Sequence, residues 1–152
     1  MKALLLLIAT VGVVAVGYAT TTRAASSPWT TEHYVTQETW HSFADVGKKD
    51  NGGPSDIYVS EQSLKTADGR QVGVVNGYGV NLHPPYVFFH WTAALKGGTL
   101  TIASAVNLQA SSIVYPIEGG TGRYAGARGT VTLTDSGSQG TRVTVRYEPA
   151  QP

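Results

Sequence analysis

A chain of 152 residues, 41% hydrophobic and 14% charged, has the length of one domain and enough apolar content to bury a core, which excludes a disordered polar chain. The formal net charge of +1 excludes the strongly basic surface that a nucleic-acid partner needs. The absence of cysteine excludes a disulfide framework, a thiolate nucleophile and a cysteine-ligated zinc site.

The chain opens with Lys2 and then an apolar run over residues 3–19. Small residues follow at Ala24, Ala25 and Ser26. This is the pattern of a secretory signal peptide, predicted over residues 1–25 with cleavage near 24–26. The run is shorter than the roughly 20 apolar residues a membrane-spanning helix needs and is interrupted by Gly12 and Gly17, so no retained membrane anchor is expected. Loss of Lys2 and Arg23 leaves nine basic against ten acidic residues, a near-neutral secreted protein. A short linker is expected over 26–31, one domain over 32–148 and a tail over 149–152.

Glycines, turn dipeptides and β-branched runs fill the rest, and no long stretch carries a 3.6-residue apolar period. Eight strands are predicted: 33–43, 56–64, 70–82, 86–95, 99–108, 112–118, 127–134 and 142–147. Their separators are a polar loop over 47–54, Ala67-Asp68-Gly69, His83-Pro84-Pro85, Lys96-Gly97-Gly98 and a hairpin over 135–140. Eight antiparallel strands joined by short hairpins must hide their edges, and closure into a barrel removes edges altogether. The expected fold is therefore all-β, an eight-stranded antiparallel closed barrel, with a two-sheet sandwich as the rival. A barrel of this size is either filled by its own side chains or holds one small ligand.

Residues 117–129 read IEGGTGRYAGARG. Gly120, Gly122 and Ala125 have the spacing of a dinucleotide fingerprint, but that motif needs a helix after it, and Gly129-Thr130-Val131-Thr132-Leu133-Thr134 is a strand. The bottom-up reading is a tight turn whose glycines permit positive φ and close backbone approach. The same string resembles the GGTG, aromatic, A-R-G signature of dirigent proteins and the related GGAG segment of allene oxide cyclases. The resemblance extends through the strand and turn pattern over about residues 32–148. It implies an eight-stranded barrel, often a trimer or another homo-oligomer, with a pocket inside and no organic cofactor.

From the allene oxide cyclases the resemblance implies Glu38 as a catalytic acid on the first strand, with Asn107 near the position of a pocket tyrosine. Gly79 stands where a pocket cysteine is expected and Val59 where a pocket proline is, which speaks against allene oxide cyclisation itself. From the dirigent proteins it implies a cavity that orients a phenolic species, with Arg128 of the A-R-G triplet as anion stabiliser or structural anchor. Tyr78, Tyr86, Phe88, Phe89, Trp91 and Tyr115 form an aromatic group that lines a cavity or fills a core. Tyr78, His90, Asn107 and Tyr115 are taken as substrate-binding candidates. His33 and His41 have even spacing and share a face if their strand is unbroken. No H-x-H or acid-rich cluster points to a metal, and no G-x-S-x-G points to a serine hydrolase. The resulting expectation is a secreted pocket protein with cyclase-like, isomerase-like or dirigent-like activity on a small hydrophobic or phenolic ligand. A non-catalytic carrier and a filled-barrel interaction or envelope protein are the alternatives.

Overall fold

The computed structural model describes residues 29–46, 53–137 and 140–149; the predicted signal peptide lies outside them. Eight strands close into one antiparallel barrel in which each strand pairs with its sequence neighbours and the last pairs with the first. They are β1 (Thr30–Ala44), β2 (Ile57–Lys65), β3 (Gln71–Asn81), β4 (Tyr86–Leu95), β5 (Gly98–Asn107), β6 (Ser112–Gly120), β7 (Arg128–Asp135) and β8 (Thr141–Glu148). All eight predicted strands are present, and closure rules out the sandwich. A 3-10 turn, Gly122–Tyr124, is the one helical element among the described residues.

Alternation selects the inner face. In β8, Val143, Val145 and Tyr147 are buried while Arg142, Thr144 and Arg146 alternate with them, the period of a half-buried strand. β1 closes the barrel because it is long enough to serve two partners. Its first half pairs with β8 from Thr30↔Tyr147 to Thr36↔Thr141, and its second half continues against β2 as far as Ala44↔Ile57. The strand begins inside the stretch expected to be a linker, since Thr30 and Thr31 already pair with β8. Its register shifts between Glu38 and Trp40, a bulge that leaves Thr39 between the two pairings.

The inner face of β3 is nearly bare. Gly77 and Gly79 sit opposite Trp91 and Phe89 of β4, and a Cβ on either glycine would stand 2.4 Å from the facing ring. The missing side chains are the space into which the two aromatics lie. Between β5 and β6 the ladder is short, running only from Leu100↔Gly120 to Ile102↔Ile117, with a register shift in between. Pro116 lacks the N–H that would extend it.

The glycine-rich string over 117–129 turns the chain from β6 into β7. Gly122 has φ +57, and a Cβ there would fall 2.0 Å from the Gly97 carbonyl oxygen, so the turn lies directly on the β4–β5 hairpin. The Arg123 amide donates to Gly97 O at 2.8 Å and the Thr121 amide to Thr99 O at 3.0 Å. The structural-turn reading of the string holds, and the docking explains it. Gly122→Ala should lose about 2–4 kcal/mol of unfolding free energy from the left-handed backbone and the clash together. Gly119→Ala, at a position with no neighbour within 4 Å, should stay within about 0.5 kcal/mol of the parent. Urea titration with an unchanged slope checks both.

Candidate functional site

Inside the barrel lies a cavity of about 440 Å³. Its waist is apolar: Phe89, Trp91, Leu100, Ile102, Leu133 and Val145 all line it. Towards the end that carries the β5–β6 and β7–β8 hairpins the lining turns polar, with Ser111, Ser112, Asp135 and Thr141. Gln62, Tyr34 and Tyr115 add polar groups along the wall. The volume falls within the range of small-molecule pockets, and a barrel filled to its axis would leave no such space.

At the mouth, β1 and β2 extend past the point where β8 begins. Cross-strand partners share a face, so Glu38 opposite Gln62 and His41 opposite Ser60 both belong to the inner face of β2 that carries Gln62 and Leu64. The bulge makes this possible, because a regular strand would turn residues three apart to opposite faces. Glu38 is the hub. Its Oε2 accepts a hydrogen bond from the Tyr58 hydroxyl, and its Oε1 lies 2.7 Å from His41 Nδ1, while the His41 and Tyr58 rings stack at 5.8 Å. Tyr58 packs against the core cluster, opposite Gly79 and hence beside Phe89. Ser60, 2% exposed between Tyr58 and Gln62 in the strand, holds a buried hydroxyl with no hydrogen-bond partner among the described residues.

The opposite end of the barrel is plugged by a second carboxylate. Glu32 Oε2 accepts from Tyr34 at 2.7 Å and from Tyr124 at 3.1 Å; Oε1 accepts from Tyr147 at 3.3 Å and pairs with Arg123 Nη2 at 2.9 Å. The Arg123 guanidinium also donates to the Tyr124 hydroxyl and lies over that ring. The turn described above holds Arg123 and Tyr124 in place for this cluster. Burial, followed by the hydrogen bond to Glu32, pushes the Tyr34 hydroxyl far above the ordinary tyrosine value; burial likewise raises Tyr124 and Tyr147. Tyr34 also lines the main cavity, so it forms part of that wall while its hydroxyl stays protonated and donated to Glu32. Tyr115, 1% exposed in the cavity wall, is pushed up to about 12 by burial, with a hydrogen bond from Trp91 opposing.

The residues singled out from sequence separate into groups. Tyr115 lines the cavity; Glu38, His41 and Tyr58 do not, but Glu38 is the cross-strand partner of Gln62, which does. Tyr78 and His90 do not line it: they are register partners that stack on each other at 5.5 Å, on the face of β4 opposite to Phe89 and Trp91. Tyr78 is 41% exposed. Asn107 ends β5 and its side-chain oxygen accepts from the Gln109 amide at 2.8 Å, which shapes the hairpin. Arg128 is exposed at the start of β7, opposite Glu148 and away from the cavity. His33 and His41 fall on different faces, because the bulge breaks the strand between them. Of the aromatic group, Phe89, Trp91 and Tyr115 line the cavity, while Tyr78, Tyr86 and Phe88 do not. Sequence reasoning missed Glu32, Tyr34, Tyr58 and Arg123. Arg123 was within reach, since it is the arginine of the turn and only its direction was unknown. No group of three or more potential metal ligands converges among the described residues.

The family model for the allene oxide cyclase barrel like domain matches residues 35–146. Among solved structures, a pyocyanin demethylase superposes with TM-score 0.68 at 22% identity, covering 80% of this chain and 100% of the other. A pterocarpan synthase dirigent protein gives 0.67 at 17% identity, covering 82% and 97%. An exo-specific intermolecular Diels-Alderase gives 0.65 at 11% identity, covering 78% and 97%. At these identities the likeness is one of fold. No curated relative matches the chain by sequence.

The raised tyrosines set the alkaline limit of stability. Above the ordinary value of 10 the unfolded chain sheds phenolic protons that the folded chain keeps, so stability falls as pH rises from about 10 to 12. Tyr115→Phe should remove its share of that fall. Urea midpoints of parent and variant at pH 8, 10 and 11 (about these values) check the sign and the attribution.

Proposed function

The chain belongs to the allene oxide cyclase barrel-like family, and from that premise we propose that it is a secreted, cyclase-like or dirigent-like protein acting on a small hydrophobic or phenolic substrate. The observation that carries the reading is a largely apolar cavity of about 440 Å³ with a hydrogen-bonded Glu38–Tyr58–His41 cluster next to it, across from the lining residue Gln62. A carrier needs the apolar space alone. A carboxylate that already engages a phenol and an imidazole, beside a cavity, is the arrangement of a proton-transfer site.

The substrate body packs between Phe89, Trp91 and Leu133, where exclusion of water and a fixed conformation favour ring closure. Glu38 accepts a proton from a substrate hydroxyl as the ring forms and returns it to the product, so composition is unchanged, as an isomerising cyclisation requires. His41 and Tyr58 orient the carboxylate. Tyr115 acts as the hydrogen-bond donor that stabilises negative charge on a substrate oxygen deeper in the cavity, since the Tyr34 proton is committed to Glu32. The names of the structural neighbours support the class of chemistry: pterocarpan synthesis by a dirigent protein and Diels–Alder cycloaddition both close rings.

Native mass spectrometry of the mature protein from culture medium, followed by incubation with phenolic and polyene substrates, tests the reading. A bound organic molecule is expected. Glu38→Gln should then slow turnover by about 10²-fold or more with little change in affinity. Leu133→Trp, which fills the waist, should abolish binding. A protein that takes up neither these compounds nor a hydrophobic fluorescent probe overturns the proposal, and binding without turnover in parent and variant alike moves it to the carrier.

A further inference from the structure

A second pocket, of about 390 Å³, lies at the plugged end of the barrel, separate from the chemistry proposed above. Three turns and the start of one strand meet there. The start of β1 brings Glu32 and His33, the β2–β3 turn brings Thr66 and Arg70, the β4–β5 turn brings Lys96, and the β6–β7 turn brings Arg123. Three cations thus face one carboxylate in the lining. Glu32 is committed to Arg123 and to three tyrosine hydroxyls, whereas Arg70 and Lys96 form no ion pair among the described residues. Asp68, in the same turn as Arg70 but outside the pocket lining, accepts from the Thr66 hydroxyl and from the Arg70 backbone amide, and its charge acts on the Arg70 guanidinium without a salt bridge. Val72 and Leu95 supply an apolar wall beside the charges, with Tyr34 as the partition from the main cavity.

We propose that this pocket binds an organic dianion, a phosphomonoester with a small apolar body, through Arg70, Lys96 and the outer edge of Arg123. The lining keeps an excess of positive charge: Arg123 balances Glu32, Asp68 offsets part of the Arg70 charge from outside the pocket, and Lys96 and the Arg70 fork stay available to phosphate oxygens. Arginine suits it because its planar fork pairs with two oxygens at once, and lysine adds a point charge. The apolar wall and the volume exceed what a bare inorganic ion needs, so the ester body belongs to the site. Arg123 is rigidly held by Gly97 O and by Glu32, which fixes one donor before the ligand arrives.

Calorimetric titration of the mature protein with phenyl phosphate tests this, with inorganic phosphate and phenol as the separate halves of the probe. Saturable binding is expected, tighter than for inorganic phosphate and absent for phenol at this site. The Arg70→Gln/Lys96→Gln double variant, altered only at exposed turn positions, should bind at least about tenfold more weakly, and affinity should fall with added salt. Leu133→Trp should leave phenyl phosphate binding unchanged, which separates this pocket from the cavity above it. Lack of saturation up to about 10 mM, equal binding by the double variant, or loss of binding in Leu133→Trp would each overturn the proposal.

Discussion

The barrel depends on the way Glu32 is satisfied. A carboxylate turned into the end of an eight-stranded barrel is costly unless its oxygens are occupied, and here three phenols and a guanidinium occupy them. These partners come from β1, from the turn after β6, and from β8, so one side chain ties the closing seam of the barrel to its most glycine-rich turn. The turn can deliver Arg123 and Tyr124 only because Gly122 lies flat on Gly97. The signature string is thus a hinge pin for the floor. Its chemistry is indirect: through Glu32 it fixes Tyr34, which with Leu95 lines both pockets.

Above that floor the interior is graded. Charges sit at the bottom, aromatics and aliphatics at the waist, and hydroxyls and carboxylates at the rim. The waist stays open because β3 contributes glycine rather than side chain opposite Phe89 and Trp91. Where a barrel of this size would ordinarily fill itself, two large rings lie against bare backbone and leave the axis free. The same substitution accounts for the departure at Gly79, since any larger residue there would collide with Phe89.

Most of the fold was legible in the sequence because strand alternation and turn residues are local signals: the hairpins at 67–69, 96–98 and 135–140 bounded the strands within a few residues. Glu38 was named through the family resemblance, and the structure places it opposite Gln62 of β2. What sequence could not supply was the consequence of a single extra residue. The bulge at Thr39 brings His41 onto the face of Glu38 and separates it from His33, and nothing local marks that residue as a bulge. For Arg123 and Arg128 the difficulty was similar. Both belong to one motif, but only the backbone path through Gly122 decides which of them meets a carboxylate. His90 belongs to β4, which is aromatic on both faces, and Tyr78 to β3, whose inner face is glycine, so periodicity gave no sign of which face was inner.

The short ladder between β5 and β6 bears on breadth of recognition. Seven of the eight seams are laced along most of their length, while this one is joined over only a few residues near the floor. A closed sheet of fixed strand number has a nearly fixed girth, but above Ile102↔Ile117 this seam has no ladder pair to break if the rim widens or narrows. Leu108, Ile113 and Tyr115, which flank that seam, also line the cavity. A ligand of the kind proposed would meet its most yielding wall there, above a floor tied together by Glu32 and its partners.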